Sequence, residues 1–405
     1  MSLSNPFKPG AGHPPPYLAG RDIEQREFKK LLKQETILQN LILTGLRGVG
    51  KTVLTDSLKP IAIEAGWAWI GTELSESASL SEQQLAERML VDLSSYASGL
   101  SVKVADQETI GFKKNHPSAD MFLNHAALKA VFDGIPGLVK DKLQGTLEFV
   151  WRVAPKDRLR GIIFAYDEAQ TISDHADKTQ YPVAMLLDTF QSIQRKGVKI
   201  MLLLSGLPTL FPRLVESRTF AERMFRILEL KKLMDDDARK AITVPLSALP
   251  SDYPGFTKES IDLIVQKSSG YPYFIQFICR EVFDLFLALS REGRPLTVPI
   301  DTIILRLDTD FFAGRWARAT DRQRDILRII SELPSCNDEF TVQEISEKSK
   351  TISTQLKPFS PSHVTQILNS LSDRGLIYKN RHGKYVFAVP LFGDFIRRQT
   401  HSGAA

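Results

Sequence analysis

Cysteine is almost missing from this chain: 405 residues hold only Cys279 and Cys336. Two thiols cannot build a disulfide framework or a cysteine zinc site, and so sparse a usage suits a reducing cytoplasm. Long hydrophobic runs are missing too. No stretch approaches the ~20 apolar residues that a membrane helix needs. The best candidates, 200–204 and 274–289, are too short or carry charge, so no membrane contact is expected. The opening MSLSNPFKPGAGHPPPY has no continuous apolar stretch, and a secretory leader is not expected. No internal repeat is visible. A strong charge imbalance is lacking as well: the net charge of +5 permits contact with nucleic acid without demanding it. What remains is a chain with 43% hydrophobic and 24% charged residues, long enough for roughly two or three packed domains.

The pattern along the chain is α/β first and helical later. Residues 1–16 are rich in Pro and Gly and read as an extended lead-in. Helices are expected over 22–32, 51–65, 81–96 (with Ser81 as N-cap) and 183–195. Strands are expected over 39–44, 67–74, 161–166, 198–204 and 226–230. The runs at 161–166 and 198–204 are apolar on both faces, as buried parallel strands are. Residues 100–158 hold two helix-like segments around a Gly-Ile-Pro-Gly break at 134–137. From 234 to 319 the pattern is helical throughout. The period changes again at Thr320, so the last ~80 residues read as a separate unit.

Two motifs carry chemistry. Gly45-Leu46-Arg47-Gly48-Val49-Gly50-Lys51-Thr52 fits G-x-x-x-x-G-K-[ST] and leads into Val53. Its glycines let backbone N–H groups turn inward around phosphate oxygens, and the next helix aims its positive end at them. Lys51 would reach the β- and γ-phosphates of ATP, and the Thr52 hydroxyl would ligate Mg²⁺. The second motif is the apolar strand 161–166, which delivers Asp167 and Glu168 at its C-terminal end. Ligands of open α/β sheets bind at that edge. Asp167 would hold Mg²⁺, and Glu168 would polarise the attacking water as general base. Ser205 ends the next apolar strand, where it either contacts the γ-phosphate or caps a turn.

Together these residues resemble the AAA+ superfamily of P-loop ATPases. The narrower likeness is to its origin-recognition-like, archaeal-type and STAND-related members. Tyr17-Leu18-Ala19-Gly20-Arg21-Asp22-Ile23-Glu24 resembles the entry motif of that group, which implies that Gly20 and Arg21 lie beside the nucleotide. Ser205 falls at the sensor-1 position. Arg218 and Arg223, with Arg213 and Arg226 nearby, fall where relatives carry an arginine finger, which implies a homo-oligomer. The resemblance covers about 17–290. Three departures stand out. The two motifs lie about 115 residues apart, so 100–158 reads as a helical insertion suited to a protein partner. The sensor-2 region carries Gly270-Tyr271-Pro272 in place of an arginine, with Pro272 expected near the base. The finger itself is ambiguous between Arg218 and Arg223.

The expected organisation is therefore an extended stretch 1–16, an α/β AAA+ nucleotide-binding core 17–232, a helical lid 233–318, and a winged helix-turn-helix over 319–400. In that last unit, helices are expected over 320–331, 341–350 (with a Thr341/Glu344 capping box) and from Ser360-Pro361 to Leu371. A basic hairpin turn at 379–384 and a strand at 385–389 come next. Ser362, His363, Thr365, Gln366 and Asn369 would face double-stranded DNA, and Lys379, Arg381, His382 and Lys384 would form the wing. The bland alternative is a winged helix that packs only on protein. His363 and His382 lack partners at metal-ligand spacing. ATP-driven assembly on DNA and a STAND-like signalling switch both fit.

Overall fold

The computed structural model describes residues 4–10, 12–103, 120–250, 253, 255–352, 358–381 and 383–402. The chain forms two compact units that are interleaved in sequence. One comprises Met1–Arg21, Gly45–Val53 and Leu230–Ala405; the other comprises Asp22–Thr44 and Leu54–Glu229.

The second unit holds the sheet. Its elements run α1 (Asp22–Leu31), β1 (Asn40–Gly45), α2 (Lys51–Glu64), β2 (Trp67–Ile70), α3 (Glu82–Ala97), β3 (Ser101–Lys103), β4 (Asp120–Phe122), α4 (His125–Gly134), α5 (Val139–Val153), β5 (Gly161–Tyr166), α6 (Pro182–Arg195), β6 (Ile200–Gly206), α7 (Leu210–Ser217), α8 (Ala221–Met224) and β7 (Phe225–Leu230). Five strands pair in the order β2-β5-β6-β1-β7. The pairs β2–β5, β5–β6 and β6–β1 are parallel, with Ala165 opposite Leu203 and Leu43 opposite Ser205. Every residue of β1, β5 and β6 is buried, which is why these strands read as unbroken apolar runs. Strand β7 lies at the sheet's edge, and Arg226 and Glu229 are exposed on it.

Several boundaries have local causes. Ser81 caps α3 by accepting from the Gln84 N–H. Strand β2 stops at Ile70, short of the expected 74, because Gly71 turns away at φ +126° with the Ala165 carbonyl pressed against it. The two expected helices within 100–158 are α4 and α5, separated by the Gly134–Gly137 break. The antiparallel pair β3–β4 was not anticipated, and residues 104–119 of the expected insertion lie outside the described residues.

The first unit adds α9 (Asp235–Ser247), α10 (Lys258–Ser268), α11 (Pro272–Arg291), α12 (Ile300–Leu307), a π-helical turn Asp308–Phe312, α13 (Ala313–Ala317), α14 (Asp321–Ser331), α15 (Val342–Ile352), α16 (Pro361–Asp373), β8 (Ile377–Arg381), β9 (Lys384–Phe387) and α17 (Phe392–Ser402). Reciprocal capping boxes start α14 (Thr320/Gln323) and α15 (Thr341/Glu344), and Ser360 caps α16. Three helices and then the antiparallel hairpin β8–β9 match the expected order, while α17 was not anticipated. The N-terminal stretch carries no helix or strand among its described residues, yet it is anchored. Phe7 is buried against Phe256 and Phe283, and the Asn5 amide donates to the Arg280 carbonyl of α11 at 3.0 Å. Phe7→Ala is expected to cost about 3–5 kcal/mol of stability, measured by chemical denaturation. A loss below about 1 kcal/mol would mean the segment is dispensable.

Candidate functional site

The loop after β1 is built by backbone geometry. Gly48 and Gly50 sit at φ +79° and +90°, which only glycine adopts cheaply. A Cβ placed on Gly50 meets nothing within 4 Å, so the space beside that residue is open. Val49 is buried, and Gly45 lies tight against the Leu230 carbonyl. Lys51 is buried at 7% exposure and folds back into the loop. Its ammonium donates to the carbonyls of Gly45 (2.9 Å) and Leu46 (3.1 Å). Thr52 and Val53 open α2, and Thr52 is exposed.

Arg21, expected beside the nucleotide, braces the loop. Its buried guanidinium donates to the carbonyls of Val49 (2.9 Å) and Lys231 (3.0 Å). Gly20 permits this, because any side chain there would strike the Asp237 carboxylate of α9. Arg21→Ala leaves two carbonyls without their donor and is expected to lower stability by about 1–3 kcal/mol, with Arg21→Lys only partly rescuing it. An unchanged denaturation midpoint would remove this bracing role.

The sensor-2 stretch reaches the same loop. Ser269 and Gly270 are both left-handed, and Gly270 is pinned against the Leu233 carbonyl. Pro272 then takes the first position of α11, where its missing N–H costs nothing. The next N–H, that of Tyr273, donates to the Gly48 carbonyl at 3.2 Å.

The other chemical group stands in the sheet unit. Asp167 and Glu168 leave the C-terminal end of β5, and Ser205 and Thr44 are the penultimate residues of the adjoining strands β6 and β1. Glu168 is held in the left-handed region at φ 50°. A non-glycine residue there carries strain of about 1–3 kcal/mol. Sequence reasoning missed Gln170: its amide N–H grips the Glu168 carboxylate, while its carbonyl accepts from the Leu207 N–H at 2.9 Å. Gly206 has no room for a side chain because the Gln170 amide fills that space. The hydroxyls of Ser205 and Thr44 are buried with no hydrogen-bond partner among the described residues. Asp56, on α2, was also missed. Burial, and then the charge of Asp167, raise its carboxyl above the ordinary value. Among the described residues no group of three or more His, Cys, Asp or Glu side chains forms a metal cluster.

The arginine-finger candidates divide. Arg218 is committed within its own unit to a bidentate pair with Asp188 at 2.9 Å, so it is a poor candidate for action in trans. Its own guanidinium is held more firmly protonated chiefly by that hydrogen bond. Arg213 donates to the Gln170 carbonyl and Arg226 pairs with Glu27. Arg223 is exposed and makes no ion pair among the described residues.

On α16, Ser362, His363, Gln366 and Asn369 are exposed, while Val364, Ile367, Leu368 and Leu371 are buried, as their spacing predicts. Two members of that face are partly occupied. Thr365 donates to the Pro361 carbonyl, and the His363 ring packs on Phe359. Arg381 is not a free wing cation: it forms a forked pair with Glu339, which Asn380 also contacts. That pairing holds the Glu339 carboxyl below its usual range. Lys379 and Lys384 make no ion pairs among the described residues, and His382 lies outside them.

Residues 309–396 match a family model described as a domain of unknown function (DUF8462). No curated protein matched the chain. Among solved structures, the ADP form of the Aeropyrum pernix ORC2 protein is 14% identical, with a TM-score of 0.54 over 97% of this chain and 99% of that one. The A. pernix ORC1 protein in complex with DNA is 13% identical, with a TM-score of 0.46 over 96% and 95%. AMPPCP-bound DnaA from Aquifex aeolicus is 14% identical, with a TM-score of 0.41 over 96% and 97%. The likeness to the ORC2 protein is one of fold: both are α/β, and this chain has a parallel sheet with helical elements C-terminal to it.

Proposed function

We propose that the chain binds and hydrolyses ATP and uses its nucleotide state to control assembly on double-stranded DNA. The observation that carries the first half is the loop 45–52, with two left-handed glycines, open space beside Gly50 and a buried lysine folded within it. The unpartnered hydroxyl of Ser205 supports its assignment to the γ-phosphate or the attacking water. Oxygen donors from Thr52 and Asp167 suit a hard cation such as Mg²⁺, which would supply charge neutralisation at the phosphates when bound. Within the chain, Lys51 binds phosphate, Glu168 accepts the water's proton, and Gln170 sets the angle from which it does so. The exposed polar face of α16 and the two lysines of the β8–β9 hairpin support reading residues 319–400 as a winged helix that meets DNA, with 17–232 as core and 233–318 as lid. Homo-oligomerisation rests on Arg223 as the remaining finger candidate.

A second reading has its own support. The Arg47 N–H of the loop approaches the Ala388 carbonyl, and the Arg47 guanidinium lies beside Gly375. The C-terminal elements thus touch the phosphate loop, as a signalling switch with a regulatory arm would require, with part of 100–158 as its partner surface.

ATP turnover with and without duplex DNA across a salt series tests the choice. Salt-sensitive stimulation supports DNA assembly; turnover indifferent to DNA rejects it in favour of the switch. Lys379→Ala with Lys384→Ala is expected to weaken duplex binding and to reduce the log–log salt slope by about 2. Arg381→Ala alone is expected to change affinity little, because its charge is already matched by Glu339. A larger effect from Arg381 than from the two lysines in a filter-binding series would refute the pairing argument.

A further inference from the structure

We propose that Arg315 reads the terminal phosphate of a nucleoside triphosphate held by the phosphate loop, the task for which the turn Gly270-Tyr271-Pro272 offers no arginine. The inference rests on the nucleotide-binding reading above and names a residue that motif spacing did not reach.

The placement is built stepwise within one unit. The Gly48 carbonyl of the loop accepts from the Tyr273 N–H at 3.2 Å. The Tyr273 ring lies 4.8 Å from that of Phe311, and the Arg315 guanidinium stacks 4.3 Å from the centre of the Phe311 ring. Phe311 is therefore a platform between the loop's neighbour and the arginine. The backbone aims it. The helix passes through a π-helical turn at Asp308–Phe312, and one extra residue in a turn rotates the residues beyond it by about 100°. Arg315 emerges on α13 directly after that rotation.

The charge environment points to an anion. Arg315 is half-buried, and its guanidinium donates to the Phe311 carbonyl of its own helix. It makes no ion pair among the described residues. Other arginines of the same unit do: Arg306 pairs with Glu281, Arg397 with Asp394 and Arg398 with Asp308. Its charged neighbours are instead two more arginines, Arg47 of the loop and Arg318. Burial first, and then Arg47 and Arg318 against an opposing pull from Tyr273, push the Arg315 guanidinium below its ordinary pKa. Neither Arg47 nor Arg318 makes an ion pair among the described residues. Like charges brought together and partly desolvated repel, and a polyanion at the loop removes that repulsion. A guanidinium pre-set on an aromatic ring also loses little freedom when it forks onto phosphate. The nucleotide is favoured over a nucleic-acid backbone because Arg47 belongs to the phosphate loop itself.

The experiment is calorimetric titration of the full chain with ADP and with AMP-PNP. For Arg315→Gln, the preference for AMP-PNP over ADP is expected to fall by roughly tenfold or more, with ADP affinity within about twofold of the unaltered protein. Arg315→Lys, which keeps the charge and loses the fork, is expected to fall between the two and serves if the Gln variant does not fold. An unchanged preference in both variants overturns the assignment. Equal weakening of ADP and AMP-PNP also overturns it, since Arg315 would then only support the loop. If the unaltered protein binds neither nucleotide, the nucleotide site itself fails, and this assignment falls with it.

Discussion

Glu168→Gln is expected to bind ATP as the unaltered protein does and to lose about 10²- to 10⁴-fold in turnover. The substitution keeps the size and shape of the side chain and removes its basicity. It also preserves the local geometry. The Gln170 amide that grips the Glu168 carboxylate can donate equally to an amide oxygen. The left-handed backbone at φ 50° is a property of the β5 exit and does not depend on the charge. A loss of turnover with intact binding is therefore the signature of a missing base, not of a collapsed site. Turnover within a few-fold of the unaltered protein in a phosphate-release assay would remove Glu168 from the chemistry. Gln170→Ala gives a graded companion: the carboxylate stays basic but loses its grip and its tie to Leu207, so a smaller loss in turnover is expected.

Lys51→Ala is expected to weaken ATP binding by about 100-fold or more, since charge-assisted hydrogen bonds to phosphate are among the strong ones. The substitution has a second consequence. Lys51 is buried and donates to the Gly45 and Leu46 carbonyls, so its loss leaves both without that donor. Stability should fall by about 1–2 kcal/mol in nucleotide-free protein. The two effects separate by measurement: calorimetry at a temperature well below the melt reports binding, and a denaturant series reports stability. Unchanged ATP affinity in protein that melts normally would refute the loop as the nucleotide site.

Much of the chain is legible in its residue order alone. Local rules suffice wherever the cause is local. The runs 161–166 and 198–204 are apolar on both faces, and they form the buried strands β5 and β6 with boundaries within two residues of expectation. Ser81, Thr320, Thr341 and Ser360 start helices because each hydroxyl reaches an N–H three residues ahead. The phosphate loop is set by the spacing of its glycines and lysine, and the carboxylate pair by its position after a buried strand. Both are patterns over fewer than ten residues.

Long-range pairing is not legible in that order. Arg381 reads as a wing cation, yet Glu339, 42 positions away, neutralises it. Arg218 reads as a finger, yet Asp188, 30 positions away, forks onto it. Arg21 resembles a nucleotide contact and instead braces Val49 and Lys231. Gln170 bridges Glu168 to Leu207 and carries no motif of its own. Period, propensity and capping act through the backbone over one or two turns, so the order of residues specifies the elements, the parallel α/β character of the sheet and the types of reactive group. Which distant side chain meets which depends on how those elements pack, and packing alone determined which charges are neutralised within the chain and which, such as Arg315, make no ion pair among the described residues.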